Sequence, residues 1–222
     1  MDEPRSVGWK KTTTIVLIVF CFSLLYSFIR YNLVRNVPLD NLPLFISNKS
    51  VALSATILIG LSFLLGPLAR FWPKTFSPHL YLRKHLGVIG FAIAALHVVM
   101  SLVLLNPAYY SKLYAEGGKL NLNGEASILF GILSFLIFSA ISITSLPPIE
   151  KHMLPGQWKF VQRIGYLAYL FVLLHVTIMG YQGWFRADSW QYGLASISLI
   201  SAIFVLFVLI MRFLVIAFSL RK

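Results

Sequence analysis

The sequence is poor in charge and poorest in acid. Only 12% of its 222 residues are charged, and Asp and Glu together number 7 against 19 Lys and Arg. Soluble domains carry roughly twice that charged share. Cysteine is nearly absent as well. The one thiol, Cys21, excludes an intrachain disulfide, a thiolate zinc site and an iron–sulfur cluster, each of which needs several cysteines. Also missing are a phosphate-cradling glycine loop, a dinucleotide fingerprint, an internal repeat and any low-complexity tract. The chain offers no place for a flavin or nicotinamide domain of its own, so redox chemistry here is expected to need an external donor.

What is present is apolar. Hydrophobic residues make up 58% of the chain, aromatic residues 15%, and the mean hydropathy is +0.80. Such a chain is expected to be one membrane-embedded bundle. A spanning helix needs about 20 mostly apolar residues, and six stretches qualify: roughly 12–29, 51–69, 85–105, 127–146, 165–181 and 192–211. No small-residue cleavage site follows the first, which therefore reads as a retained helix. The expected fold is all-α, a six-transmembrane-helix bundle over residues 12–211, with short tails at 1–11 and 212–222.

The net charge of +12 is explained by orientation. With both termini cytoplasmic, the outside segments hold six of the 19 basic residues: Arg30, Arg35, Lys49, Lys112, Lys119 and Arg186. The other thirteen lie inside, as the positive-inside rule expects. The excess also attracts anionic lipid headgroups. No basic soluble domain exists to bind nucleic acid. The longest outside loop, 106–126, carries Gly117-Gly118 and ends near Asn121; it reads either as a solvated connector or as a docking surface or partly structured lid. An Asn or Gly cap is expected close to Ser127, at the start of the fourth span.

Two ionisable residues break the apolar cores: His97 in the third span and His175 in the fifth. Intramembrane ionisable groups are rare, costly and functional by default. Both spans run from inside to outside. His97 lies 13 residues beyond Lys84 and His175 lies 12 beyond Arg163, about 20 Å and 18 Å along a helix. Matching depth on parallel helices suits the clamping of one flat cofactor, and two neutral imidazoles fill both axial positions of a haem iron. Two alternatives stand beside this: polar packing against neighbouring helices, and a proton relay. A relay normally recruits an intramembrane acid, and all seven acids lie in loops or near the N-terminus.

A second haem nearer the cytoplasm is less well supported. His85 lies 12 residues before His97, about 120° around the helix, and Gln162 stands 13 residues before His175. His85 remains a candidate to ligate with His152, to hold a propionate or quinone oxygen, or to pack at an interface. Arg70, Arg83, Lys84 and Arg163 ring the cytoplasmic ends, where they anchor topology, or pair propionates or a partner's acids. Gly87, Gly90 and Gly165 admit either a macrocycle or a close neighbouring helix. Trp72, Trp158, Tyr181, Trp184 and Trp190 read as an interfacial belt.

The order of motifs resembles a known family. Gly66-Pro67-Leu68-Ala69-Arg70 closes the second span; Arg83-Lys84 and Leu86-Gly87 precede Leu96-His97 in the third. Ile143-Thr144-Ser145 ends the fourth, and Gly156-Gln157-Trp158 with Gln162-Arg163-Ile164-Gly165-Tyr166-Leu167 leads to Leu174-His175. Over roughly residues 50–182 the chain resembles the ferric reductase-like transmembrane domain. The motifs look in particular like those of the stand-alone bacterial branch, which includes the haem-binding membrane subunit of a periplasmic methionine sulfoxide reductase system. The resemblance implies a b-type cytochrome of the cell membrane or bacterial inner membrane. Its donor would be a cytoplasmic flavin reductase or membrane quinol, with FMN or quinone as a further cofactor, and its acceptor would lie on the outer face. His97 and His175 fall on the outer-haem ligand positions. Direct ferric or other metal reduction is the alternative within the class; a haem-free transporter, channel or assembly scaffold is the alternative outside it.

Overall fold

The computed structural model describes residues 5–186 and 190–220. Arg221 and Lys222, counted among the inside basic residues, lie outside the described residues, as do residues 1–4 of the N-terminal tail. Six long helices dominate: α1 (Arg5–Phe28), α2 (Ser47–Phe71), α3 (Leu82–Leu104), α4 (Leu122–Thr144), α5 (Pro155–Trp184) and α6 (Ile197–Leu220). All six are long and apolar enough to cross a membrane. The chain is an all-α six-helix membrane bundle.

Most helices start earlier than the apolar runs alone mark. Asn121 caps α4, its side chain accepting from Gly124 N at 2.9 Å, so Ser127 sits more than one turn inside the helix. Pro155 takes the first position of α5, where its missing N–H costs nothing. Ahead of α2, a π-helical turn (Leu42–Ile46) carries the chain straight into Ser47, bringing Asn48 and Lys49 into the span. The sixth helix continues past Met211 to Leu220, so most of the expected C-terminal tail is helical.

α2 is the most buried span. It packs against α1, α3 and α6, while α5 packs against α4 and α6. Small residues allow the closest approaches: a Cβ on Gly90 would stand 2.8 Å from Ile59 of α2, and one on Gly165 2.6 Å from Phe63. These glycines therefore serve helix packing. Tyr169, fully buried, ties α5 to α2 by donating to Thr56 O at 2.9 Å. By contrast, α3 touches α4 only sparsely and does not pack along α5. The α2–α3 and α4–α5 pairs thus face each other across a thinly packed seam. The end of the bundle opposite the two chain termini is its outer end.

The 106–126 connection is ordered at that end. Asn106 caps a single turn (Pro107–Tyr110), a second turn follows (Ser111–Leu113), and Tyr114 bridges Leu120 around the positive-φ pair Gly117 and Gly118. It is more structured than a plain connector.

Candidate functional site

Each core histidine is fixed by the helix paired with its own. His97, on the outer half of α3, has Nδ1 2.7 Å from Asn48 Oδ1 in the first turn of α2. Asn48 is 1% exposed. Its Nδ2 donates to Ser101 Oγ at 3.0 Å, and that hydroxyl lies 3.4 Å from His97 Nδ1. With the amide nitrogen committed to Ser101, Oδ1 must accept, so the proton of His97 resides on Nδ1.

His175 reaches the same state by another route. Its Nδ1 lies 2.8 Å from the carbonyl oxygen of Ser127 in α4, an acceptor only. Ser127 Oγ is 3.1 Å from the same nitrogen and donates to His175 O at 3.4 Å. Gly131, one turn further along α4, leaves the ring its space: a Cβ there would stand 3.2 Å from His175 Nδ1.

Both imidazoles therefore present Nε2 as the basic nitrogen. Neither Nε2 has a hydrogen-bond partner among the described residues, and neither is sealed in by protein. Both rings are half-buried and lie within electrostatic range of each other. Histidines held through Nδ1 with Nε2 free are arranged as metal ligands are. Among the described residues no cluster of three or more His, Cys, Asp and Glu side chains gathers to hold a bare ion.

The other residues singled out from the sequence fall elsewhere. His85 points away from the seam and packs on Trp9 of α1, ring centroids 4.6 Å apart; its Nδ1 is buried without a partner. His152 is exposed beyond α4. Arg70 and Arg163 are exposed at the terminus end. Arg83 turns inward, donating from Nε to Ser62 O at 3.2 Å, and Lys84 pairs with Glu150. Arg83 also lines a cavity of about 70 Å³ with Ser62, Phe91, Phe138, Trp158 and Gln162. Gln162 donates to Ser145 Oγ at 2.9 Å, and Trp158 Nε1 is buried without a partner. Trp158 is thus an inward-facing residue instead of part of an interfacial belt.

Asn48, Ser127 and Gly131 carry little functional signal in the sequence. Asn48 precedes the apolar run of the second span and looks like loop; Ser127 acts through its backbone. The small polar run Ser47-Asn48-Lys49-Ser50, at a helix start, was the one available signal.

The site thus consists of two intramembrane imidazoles within a bundle of six helices long and apolar enough to span a membrane. Residues 51–173 match the family model described as "Ferric reductase like transmembrane component", and the chain belongs to that family. It is similar to Metalloreductase STEAP2 of Mus musculus, 30% identical over 215 residues, and to its Homo sapiens counterpart, 28% identical over the same length. Metalloreductase STEAP3 of Rattus norvegicus is 24% identical over 220 residues. These matches cover 83%, 83% and 84% of this chain and 43%, 44% and 45% of the relatives. The chain spans less than half the length of these curated relatives. Family membership gives it a membrane redox role.

Proposed function

We propose that this chain holds one haem b between His97 and His175 and conducts electrons across the membrane to an acceptor at the outer face. The observation that carries the reading is the pair of imidazoles on α3 and α5, each with Nδ1 tied to the adjacent helix and Nε2 unpartnered. Two protein nitrogens leave a six-coordinate iron four donors short. A macrocycle supplies the remaining four donors, and the sparse packing between the two helix pairs suits a flat group. The residues therefore fit a haem.

When bound, haem supplies one-electron chemistry. The chain supplies everything around it. Asn48 and the Ser127 carbonyl set ring orientation and basicity, and the apolar walls exclude water. The cavity beside Arg83, Trp158 and Gln162, at the terminus end, is where the donor's flavin or quinone ring would approach. Residues 12–211 are the redox unit, with both termini cytoplasmic and the external donor a flavin reductase or membrane quinol.

For the acceptor, the metalloreductase relatives favour a ferric or other metal complex reduced directly. The resemblance to the sulfoxide-reductase subunits favours a partner protein such as a periplasmic methionine sulfoxide reductase in a bacterial inner membrane. Proteoliposomes separate these readings. With a reduced flavin on the terminus side and a ferric chelate on the other, His97- and His175-dependent chelate reduction without added protein supports metal reduction. Electron crossing seen only with the sulfoxide reductase present supports the second. No electron crossing with any acceptor contradicts both.

A further inference from the structure

Pro67 sits inside α2 and is buried. Proline has no N–H, so the helix cannot donate to the carbonyl four residues earlier, and the ring crowds that oxygen. Here the oxygen belongs to Phe63. Within a membrane such a freed carbonyl has to be met by a neighbouring helix, a side chain or an ordered water. The donor comes from α5: the Tyr166 hydroxyl donates to Phe63 O at 3.2 Å. The two rings also lie together, centroids 4.8 Å apart, and the Arg212 guanidinium of α6 stands 4.9 Å from the Tyr166 ring centroid.

The same stretch of α2 walls the cavity at the terminus end. Ser62 and Phe63 line it together with Arg83 and Trp158. Ser62 O accepts from Arg83 Nε at 3.2 Å, and Ser62 Oγ donates to Arg83 O at 2.6 Å. Two consecutive carbonyls of α2 are thus held by two different helices, Ser62 by α3 and Phe63 by α5. Four residues beyond Ser62 stands Gly66, which carries an N–H; four beyond Phe63 stands Pro67, which does not. Tyr169 provides the contrast. It also donates from α5 to an α2 carbonyl, Thr56 O at 2.9 Å, but Gly60, four residues further on, carries an N–H.

We propose that Tyr166 is a positioning residue for the cavity: its hydroxyl replaces the N–H that Pro67 lacks and thereby fixes the Ser62–Phe63 wall against which a donor's ring is held. The use of the cavity by a donor rests on the function proposed above; the replacement of the missing N–H does not. The arrangement also gives a role to two motif residues, Pro67 and Tyr166, that lie apart from the histidines.

The test is a double-mutant cycle on the full chain in detergent, with Tyr166→Phe made in wild type and in Pro67→Ala, which restores an N–H at position 67. Binding of FMN, and in a parallel series of a short-chain quinone, is read by quenching of tryptophan fluorescence, since Trp158 lines the cavity. Thermal midpoint and Soret band are recorded alongside. An unmet buried acceptor is costly, so Tyr166→Phe is expected to weaken binding of the probe about tenfold in wild type, with the Soret band unchanged. In the Pro67→Ala background the same substitution is expected to change binding by less than about twofold, and the midpoint to follow the same pattern. Equal losses in the two backgrounds, or no loss in wild type, overturn the inference. If Pro67→Ala does not fold, Tyr169→Phe takes its place: a larger loss of binding in Tyr166→Phe than in Tyr169→Phe supports the role, and equal losses overturn it. If wild type binds neither FMN nor the quinone, the donor reading of the cavity falls, and the midpoint cycle alone decides whether Tyr166 stands in for the missing N–H.

Discussion

Asn48 and His97 stand 49 positions apart in the chain and are joined by a 2.7 Å hydrogen bond between adjacent helices. The bond fixes which imidazole nitrogen is left basic. His175 gains the same arrangement from the backbone of Ser127. One imidazole is therefore oriented by a side chain and the other by a backbone carbonyl, and this asymmetry can be measured.

Asn48→Ala removes the acceptor that orients His97, whereas Ser127→Ala keeps the carbonyl that orients His175. Loss of the outer partner of a metal-ligating histidine typically costs 10–100-fold in affinity. Haem affinity is expected to fall by about that factor in Asn48→Ala and to stay within about threefold of wild type in Ser127→Ala. Titration monitored in the Soret band checks both.

Replacing the amide by a carboxylate changes electronics instead of position. In Asn48→Asp an ionised acceptor on Nδ1–H makes His97 a stronger donor and favours the ferric state. The midpoint potential is expected to fall below wild type with haem retained. A potentiometric titration that gives an unchanged or higher midpoint contradicts this role.

Gly131 is the second control on His175. Its Cβ would lie 3.2 Å from the ring nitrogen, so Gly131→Val forces the imidazole to move. Overpacking of this kind costs typically 1–3 kcal/mol. The variant is expected to lose low-spin character in its visible spectrum while the His97 side remains intact.

Much of this was legible in the sequence because membranes are a strict solvent. Six apolar runs gave six helices, and His97 and His175 stood out because little else ionisable enters the cores. The helix starts were less legible. Capping by Asn121 and the continuous turn into Ser47 place polar residues inside spans that hydropathy trims away. Asn48, Ser127 and Gly131 are small or uncharged, and such residues are common in spanning helices. Which of them meets a histidine depends on helix rotation and pairing, which one sequence does not encode in its periodicity. Gly90 and Gly165 fitted a macrocycle or a helix equally well until Ile59 and Phe63 were found against them.

His85 tests the haem count. It stacks on Trp9, away from the seam, so His85→Ala is expected to leave the haem-to-protein ratio unchanged. The lost ring contact should lower stability by about 1 kcal/mol, seen as a lower thermal midpoint. A drop in bound haem would instead place His85 at a second site.

Whether the two imidazoles hold haem is decided by a reduced-minus-oxidised visible spectrum with pyridine haemochrome quantitation, on wild type, His97→Ala and His175→Ala. One low-spin haem b per wild-type chain is expected, with loss of that spectrum in both variants. A colourless wild type expressed with ample haem, or a full b-type spectrum in either variant, would contradict it.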